Sequence, residues 1–401
     1  MAPRDSDEIP VQVVLREAEQ DLHAAIRYKT TLERVLVHGS GAERERAART
    51  LARIALDYPE EVHRSLRTAV KAAVDDDIDS VRGNSSAIVA ALAGTYPKDV
   101  AGYIGTIERG WTDPHPTVVE NVAETFAFTT RASPQGALDA LDDLGALLES
   151  NREPVRRHAT IAMYNVGRAY PERIVRFDDR LVTRLATDTD EITRIAAAGA
   201  LAQVAKSSPD RFADWVDDLE SLLRTETDER VQGNVVAVLA RLGESDPEAI
   251  RPTLDTLSGL LSSSDHTTLV NVTDAIGHVA AIDPTAVRAA DIVPKLRRLW
   301  DRTDSATLRA NVSEIVRQVS DADRREEPRR RTGMDDPLDI PSSMLDEILR
   351  LGRESTRQVI LDIETFIDDR SERNDTTVEV QDSVVGDLDA RGRSGEDERG
   401  R

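Results

Sequence analysis

The sequence contains no cysteine, so disulfides, thiolate catalysis and cysteine-ligated zinc or iron–sulfur sites are excluded. Aromatic residues make up only 3% of the chain, which indicates a core of small aliphatic side chains packed between helices. No apolar run approaches the roughly 20 residues of a membrane span. The charged residues from Met1 to Glu8 do not resemble a signal peptide. We therefore expect a soluble, cytoplasmic protein without a membrane partner.

Lysine is also scarce, and the other basic residues are arginine; the lysines are Lys29, Lys71, Lys98, Lys206 and Lys295. The formal net charge is -22 at pH 7, with a sequence pI near 4.8. This acidic, lysine-poor composition resembles that of proteins from extreme halophiles. Net charge keeps a protein soluble but destabilises its compact state by self-repulsion. We interpret the acidity mainly as adaptation to salt, with selection for basic partners as the alternative.

Prolines recur along the chain at intervals of 37 or 38 residues, which indicates an internal repeat; they are Pro59, Pro97, Pro134, Pro171, Pro209, Pro247 and Pro284. Each proline suits the first turn of a helix, where its missing N–H has no intrahelical partner. After it, apolar residues follow at helical spacing, as in Phe212, Val216, Leu219 and Leu223. This pattern predicts a helix A in every repeat.

A second helix, B, is predicted between the acidic turn that ends helix A and the next proline. One apolar row in helix B aligns across all the repeats: Leu51, Val89, Phe126, Met163, Leu201, Leu239, Ile276 and Val316. A pair of antiparallel helices cannot bury its apolar face alone, so neighbouring repeats must stack. The repeat pattern therefore predicts an α-solenoid.

The starts of several B helices resemble the D-x-x-V-R motif of the HEAT-repeat family: 81-VRGN-84, 155-VRRH-158 and 231-VQGN-234. The proline-bearing segment from Asp291 to Leu296 resembles the first HEAT helix. The resemblance covers residues 42–323. It implies an all-α fold, a right-handed αα-superhelix of about 7–8 helix pairs. An armadillo-like or other αα-solenoid is the alternative, because 118-VV-119, 193-TR-194 and 308-LR-309 depart from the Val-Arg pair.

Outside the repeats we predict four further segments. Residues 1–41 are expected to form an N-terminal helical cap, 324–341 a linker of mixed charge, and 342–370 a C-terminal helix. Residues 371–401 are polar and charged, which predicts a disordered tail. The C-terminal helix is expected either to fold back as a cap or to act as a docking or dimerisation helix.

Asparagines recur near the start of helix B and form the most specific candidate site: Asn84, Asn121, Asn234, Asn271 and Asn311. His158, Ala196 and Arg46 take this place in the other repeats. Asparagine is not favoured inside helices, so its recurrence needs a reason. One interpretation is a groove that hydrogen-bonds an extended peptide. The other, which we favour, is a ladder of amides that satisfy buried backbone groups of the adjoining repeat.

The middle repeats carry a looser basic cluster: Arg156, Arg157, Arg168 and Arg194. It is either a pocket for an acidic peptide or phosphate, or a solvated face with local salt bridges. No phosphate-binding loop, dinucleotide-binding fingerprint or nucleophile elbow is present, and no histidine pair has metal-ligand spacing on a helix. We therefore predict no catalytic residues, no metal and no cofactor.

The sequence favours a non-enzymatic protein-interaction scaffold or adaptor whose protein partner it does not identify. Few aromatic rings and a negative net charge argue against nucleic-acid binding by counterion release and base stacking. The alternative is a HEAT-like enzyme or nucleic-acid-binding protein that uses the central arginines.

The halophile interpretation predicts a salt-dependent fold. At about 1 M salt the Debye length is about 3 Å, which screens the repulsion between acidic side chains. The helical signal measured by circular dichroism should therefore weaken as KCl falls from molar to about 0.1 M. An unchanged thermal unfolding midpoint over this range would contradict the interpretation.

Overall fold

A computed structural model describes residues 9–326, with side chains from residue 9 to residue 322, and the regular elements in this range are helices. The chain divides into two compact units, Met1–Val204 and Ala205–Arg401. Each unit is a stack of helix pairs, so the prediction of an all-α solenoid is confirmed. The right-handed sense of the superhelix stays a prediction.

The helices of the first unit follow one another with short connections. They are α1 (Val11–Gln20), α2 (Leu22–Arg27), α3 (Lys29–His38), α4 (Gly41–Asp57), α5 (Pro59–Val62), α6 (Leu66–Asp75), α7 (Asp79–Thr95), α8 (Pro97–Ala101), α9 (Ile104–Ile107), α10 (Pro116–Ala132), α11 (Leu141–Leu147), α12 (Glu153–Ala169), α13 (Pro171–Ile174), α14 (Asp178–Thr187) and α15 (Glu191–Ser207), in which the boundary between the units falls.

The second unit continues the same pattern as far as the structure describes it. Its helices are α16 (Val216–Thr225), α17 (Glu229–Ser245), α18 (Pro247–Ile250), α19 (Leu254–Leu260), α20 (His266–Ile282), α21 (Pro284–Ala289), α22 (Val293–Arg302) and α23 (Ala306–Glu326). Helix α23 extends three residues into the predicted linker. The rest of that linker, the predicted helix at 342–370 and the predicted tail at 371–401 lie outside the described residues.

The B helices are the long helices of the repeat: α4, α7, α10, α12, α15, α17, α20 and α23. Those from α4 to α20 are 17 residues long, and α23 has 21 residues. Positions are counted below from the first residue of each B helix. The predicted apolar row occupies position 11, and all its members are buried, so this part of the core was predicted correctly.

Helix A is not the continuous helix that the periodicity predicts. After Pro59, Pro171 and Pro247 a short α-helix is separated from a second, longer helix by a 3₁₀ turn, such as His63–Ser65 or Arg251–Thr253. After Pro134 and Pro209 the chain forms a 3₁₀ helix directly, and after Pro97 and Pro284 two α-helices follow each other. In the 3₁₀ form, residues three apart lie on the same side. Val62 and Ser65 are accordingly both buried, so the break keeps the apolar face directed at the core.

Two glycines at position 15 allow helix A to approach helix B closely. A Cβ on Gly167 would lie 2.4 Å from Cδ1 of Ile174, and a Cβ on Gly243 would lie 2.3 Å from Cδ1 of Ile250. Both isoleucines come three residues after the repeat proline and are fully buried. The isoleucine side chain therefore fills the space that a side chain at the glycine position would occupy.

An arginine at position 4 of the B helix joins neighbouring repeats in the first unit, and we call these contacts the arginine ladder. In each contact Nε donates to Oδ2 and Nη2 donates to Oδ1 of an aspartate 31 or 32 residues later; the distances are 2.8 and 3.1 Å for Arg44 and Asp76, 2.6 and 3.1 Å for Arg82 and Asp113, and 2.6 and 3.1 Å for Arg156 and Asp188. Paired bonds of this kind fix orientation as well as distance.

Each ladder contact also organises the turns around it. Nη1 of Arg156 donates to the Ser150 carbonyl at 2.9 Å, in the turn before its own helix. Oδ1 of Asp188 accepts from the backbone N–H of Asp190 at 3.0 Å. Burial alone would raise the pKa of Asp188, but the hydrogen bonds and charge of Arg156 and the Asp190 N–H hold it below the usual value. The aspartate is therefore ionised at neutral pH.

The ladder predicts that Asp188→Asn destabilises the protein. Removing one partner of a buried ion pair costs about 3–5 kcal/mol, and the Asp188 side chain is fully buried. A carboxyl whose pKa is lowered stabilises the fold above its unfolded pKa, about 3.9, and loses that contribution as pH falls through the folded pKa. Urea unfolding measures the free energy of unfolding of both proteins. The difference between wild type and variant should be largest at pH 7 and pH 5 and should decrease only below about pH 4.

The matched control is Asp142→Asn, because Asp142 pairs with Arg176 where both side chains are exposed. It should change the free energy of unfolding by less than about 1 kcal/mol. Equal effects of the two substitutions would contradict a special role for the ladder.

Candidate functional site

The predicted asparagines of the first unit lie at position 6 of α7 and α10, beside the contact between these helices. Both are half-buried. Nδ2 of Asn121 donates to the Gly83 carbonyl at 3.1 Å and to Oγ of Ser86 at 2.9 Å. Nδ2 of Asn84 donates at 2.7 Å to the Ser80 carbonyl of its own helix. These amide donors are used within the protein.

The second unit repeats this arrangement, with Asn234, Asn271 and Asn311 half-buried at position 6 of α17, α20 and α23. Nδ2 of Asn271 donates to the Gly233 carbonyl at 3.4 Å. Nδ2 of Asn311 donates to Oγ1 of Thr273 at 2.9 Å and to Oδ1 of Asp274 at 2.6 Å. The bonds from one B helix to the preceding one favour the ladder interpretation, and the peptide-binding row stays a prediction.

His158 replaces asparagine at position 6 of α12 and is buried. Burial, and then the charge of Arg157, lower its pKa to about 4, so the imidazole is neutral at physiological pH. Its Nδ1 has no hydrogen-bond partner among the described residues. His158 therefore is a buried, neutral side chain at the position where other repeats carry the asparagine.

The structure places three of the four central arginines near the N-terminal ends of their helices, each with a partner. Arg156 belongs to the arginine ladder. Nε of Arg157 donates to Asp190 at 2.9 Å, and its Nη2 donates to Glu153 at 2.7 Å. Nη1 of Arg194 donates to the Asp188 carbonyl at 3.3 Å. Binding by these arginines stays a prediction, but their donors already serve the fold.

Arg168 does not lie beside the other three. It is exposed at position 16 of α12, twelve residues after Arg156. At a rise of 1.5 Å per residue this is about 18 Å along the helix axis. The four arginines therefore do not line a common pocket.

Three side chains on the B helices of the first unit, Glu124, Phe128 and Tyr164, were not predicted as site residues, and we call them the aromatic strip. Phe128 and Tyr164 are half-buried at positions 13 and 12 of α10 and α12. A Cβ on Gly94 would lie 3.8 Å from the Phe128 ring, and one on Gly199 would lie 2.9 Å from the Tyr164 ring. The rings therefore lie over glycines of the preceding and the following B helix.

Small or apolar residues also lie on these B helices and on α7. Ala87 and Ala91 lie at positions 9 and 13 of α7, and Ile161 lies at position 9 of α12. Nδ2 of Asn165 donates to the Ala127 carbonyl at 3.1 Å, which joins α12 to α10. The signal in the sequence was Phe128, a phenylalanine at a position where other repeats carry small or polar residues.

Glu124 lies one helical turn before Phe128 on the same face of α10. Burial of its carboxyl, and then the charge of Glu120, raise its pKa to about 7. Glu120 is itself hydrogen-bonded to Nε of Arg152 at 2.9 Å. The aromatic strip therefore contains a carboxyl that is partly protonated at neutral pH.

The B helices of the second unit present charged groups instead. Nη1 of Arg241 lies 3.3 Å from Oε2 of Glu244 on α17, and Asp274 and His278 lie on one face of α20. Burial raises the pKa of Asp274 to about 6, although the hydrogen bond from Asn311 opposes the rise. Burial lowers the pKa of His278. This surface offers charge and hydrogen bonds rather than apolar area.

Comparison with known proteins identifies the family. Residues 132–385 match the family model described as the Adaptin N terminal region, which is more than half of the chain. The chain belongs to this family. The match confirms the resemblance to HEAT-like solenoids and makes this adaptin-family chain a protein of the scaffold or adaptor kind.

One solved structure supports the fold of the adaptin-family chain. A crystal structure of an engineered protein has a TM-score of 0.65 and 21% sequence identity, over 77% of this chain and 83% of that one. A second engineered protein covers 64% of this chain and 97% of its own, with 18% identity and a TM-score of 0.36, which is too low to support an argument. No curated protein matches the chain in sequence.

Three further features of the adaptin-family chain concern the part that the structure describes. Between residues 9 and 326, no helix has both the length and the apolar composition needed to cross a membrane. In the same range, no group of three or more His, Asp or Glu side chains is arranged to hold a metal ion. A small apolar cavity of about 10 Å³ lies beside Val89, Ile107 and Val122, which is room for about one water molecule.

Glu124→Gln should make the protein more stable at alkaline pH. A carboxyl whose folded pKa lies near 7, above its unfolded value of about 4.3, costs stability as pH rises between these values. The variant lacks this cost, so its gain over wild type should be near zero at pH 4 and reach about 3–4 kcal/mol at pH 8.

The measurement is urea unfolding of both proteins at pH 4, 6 and 8. Glu172→Gln, at an exposed carboxylate on α13, is the control and should leave the pH dependence unchanged. A Glu124→Gln protein whose stability follows the same pH curve as wild type would show that the carboxyl is not held in an apolar setting.

Proposed function

We propose that this chain is a non-enzymatic adaptor of the cytoplasm, which binds a protein partner through apolar side chains that dock on the aromatic strip. The observation that carries the proposal is the pair of half-buried rings, Phe128 and Tyr164, on adjacent B helices. Aromatic residues dominate binding energy at interfaces because they remove large apolar areas from water at low entropic cost.

The surroundings of the strip support a protein ligand over a small molecule. The half-exposed alanines Ala87 and Ala91 lie on the B helix before the strip, and the cavity beside Val89, of about 10 Å³, is far smaller than the concave sites that enclose small molecules. Glu124 adds a carboxyl with a pKa near 7, which in its protonated form donates a hydrogen bond to a backbone carbonyl. The strip therefore suits a peptide or helix with an apolar face.

The alternative, a HEAT-like enzyme or nucleic-acid-binding protein, depends on the central arginines. Arg156 and Arg157 are bonded to carboxylates within the protein, and Arg168 lies about 18 Å away. A net charge of -22 opposes contact with phosphates. These observations favour a protein partner, with neither nucleic acid nor a membrane involved.

The decisive experiment compares two variants of the tagged full-length chain in affinity capture from its own cells, in molar KCl, with mass spectrometry. Phe128→Ala combined with Tyr164→Ala should reduce recovery of the partner at least about tenfold, since hot-spot side chains contribute about 2 kcal/mol or more each. Tyr103→Ala, at a half-buried ring between α8 and α9, should leave recovery unchanged.

Circular dichroism of both variants must match wild type for the comparison to count as a loss of contact rather than of fold. A partner that the double variant retains would place the contact elsewhere and overturn the proposal. Recovery of nucleic acid or a small molecule without stoichiometric protein would favour the alternative.

A further inference from the structure

A leucine on the first B helix is exposed on the same face as the side chains discussed so far. Leu56, at position 16 of α4, is 70% exposed. Positions 9, 13 and 16 follow one another at helical spacing and share one face of a B helix. A single exposed apolar side chain is normal on a protein surface, so the surroundings of Leu56 decide whether it belongs to a binding surface.

The arginine ladder fixes where Leu56 lies relative to the aromatic strip. The ladder arginines of α4 and α7 both bond to an aspartate three residues before the next B helix, so the steps from α4 to α7 and from α7 to α10 have the same register. In the second step position 13 approaches position 16, since a Cβ on Gly94 would lie 3.8 Å from the Phe128 ring. Leu56 therefore lies beside Ala91, at position 13 of α7.

Helix α7 carries only small side chains between these two large ones. On the shared face Ala87 and Ala91 are half-buried, and Gly94 is exposed. This face of α7 is therefore the floor of a groove, with Leu56 on one wall and Phe128 on the other, which we call the α7 groove. Neighbouring helices pack about 8–10 Å apart, which places the axes of the wall helices about 16–20 Å apart. One α-helix, about 10 Å across with its side chains, fits between them.

The two walls of the α7 groove carry groups of opposite charge. On α4, Arg53 is exposed at position 13, and its Nη1 donates at 2.9 Å to an uncharged acceptor, the Glu19 carbonyl. The Glu19 carboxylate is bonded to Nε of Arg46 at 2.7 Å. On α10, burial and then the charge of Glu120 raise the pKa of Glu124 to about 7, so a cation beside this carboxyl would stabilise its ionised form. A ligand with acids toward α4 and a base toward α10 complements both walls.

The polar groups of the groove favour a helix over an extended peptide. An extended peptide needs partners for its backbone N–H and C=O groups. Nδ2 of Asn84 donates to the Ser80 carbonyl at 2.7 Å, and Nδ2 of Asn121 donates to the Gly83 carbonyl at 3.1 Å, so these amide donors are used within the protein. A helix bonds its own backbone and needs only apolar and charged contacts. From Asn84 to Gly94 the floor is about 15 Å long, the length of about three helical turns.

We propose that the partner presents an amphipathic α-helix of about three turns, which lies along α7 in the α7 groove. Its apolar face packs between Leu56 and Phe128, its acidic side chains lie toward Arg53, and a basic side chain lies toward Glu124. This inference rests on the proposed function, because Phe128 belongs to both surfaces. It adds the conformation and charge pattern of the bound segment, and it adds Leu56 as a second anchor on a helix outside the aromatic strip.

Site-specific photo-cross-linking tests the conformation of the bound segment. The tagged full-length chain carries Leu56→p-benzoylphenylalanine, at an exposed side chain whose replacement leaves the core packed. After irradiation in its own cells, the cross-linked peptide of the partner is sequenced by mass spectrometry. The expected segment has apolar residues at i, i+3 or i+4, and i+7, with acids on one side of the apolar face and a base on the other.

Ala101→p-benzoylphenylalanine, at a half-buried alanine of α8, is the control and should not cross-link to this segment. A cross-linked segment with alternating apolar residues, or one rich in proline, would be an extended ligand and would overturn the proposal. A segment of this same chain would assign the groove to a second copy and would overturn it as well.

A block of the groove floor separates this inference from the proposed function. Ala91→Trp places a large ring on the floor and should reduce recovery of the partner at least about tenfold, as expected when a buried anchor loses its contact. Ala101→Trp is the matched control and should leave recovery unchanged. Circular dichroism of each variant must match wild type. If Ala91→Trp does not fold, Leu56→Glu makes the same comparison at an exposed position and should also reduce recovery about tenfold.

The variants of the aromatic strip complete the comparison. Loss of the partner both in the groove variant and in Phe128→Ala with Tyr164→Ala supports the helix in the groove. Loss in the strip variant alone would leave the proposed function intact and overturn the α7 groove. Retention of the partner by both would overturn both.

Discussion

The contact between one repeat and the next is the constraint on which this chain depends. A single helix pair cannot bury its apolar face alone, so the neighbouring pair must cover it. Apolar contact is not directional, so it fixes neither the register nor the tilt of the stack. In the first unit the arginine ladder supplies that direction, because each arginine bonds to the turn before its own helix and to the turn of the following repeat.

Because charged side chains hold neighbouring repeats together, a charged composition does not by itself indicate a binding site. The chain is rich in arginine and aspartate, and a binding role for the central arginines was a reasonable prediction. The structure shows that Arg156 and Arg157 are bonded to carboxylates of their own fold, while the side chains best suited to a partner are the uncharged rings of the aromatic strip. The two units differ here, since the corresponding surface of the second unit is charged.

The repeat, the B helices and their buried row were predictable because they depend on local spacing: a proline every 37 or 38 residues and apolar residues at helical intervals. The break in helix A was not, since a 3₁₀ turn changes the winding by less than a residue and leaves the apolar spacing almost intact. The partner of Arg82 lies 31 residues away, and only the register of stacked helices identifies it. The raised pKa of Glu124 depends on burial by neighbouring helices, which its own sequence context does not reveal.

The close approach of Gly167 to Ile174 has a consequence for how repeats can be exchanged. Seven residues separate these two positions, and the corresponding positions of the other repeats have the same spacing: Gly243 and Ile250, Ala55 and Val62, Ala93 and Val100, Ala280 and Val287, Thr130 and Ala137, and Ala205 and Phe212. Ala205 and Phe212 are the pair that does not follow the relation between side-chain sizes described next. A larger residue on one side is in most repeats matched by a smaller one on the other, so the summed volume is nearly conserved. The volume-matched module therefore runs from the end of helix B into the next helix A. A recombination point inside that seven-residue interval would separate matched side chains, whereas one placed in the turn between helix A and helix B would leave this packing intact.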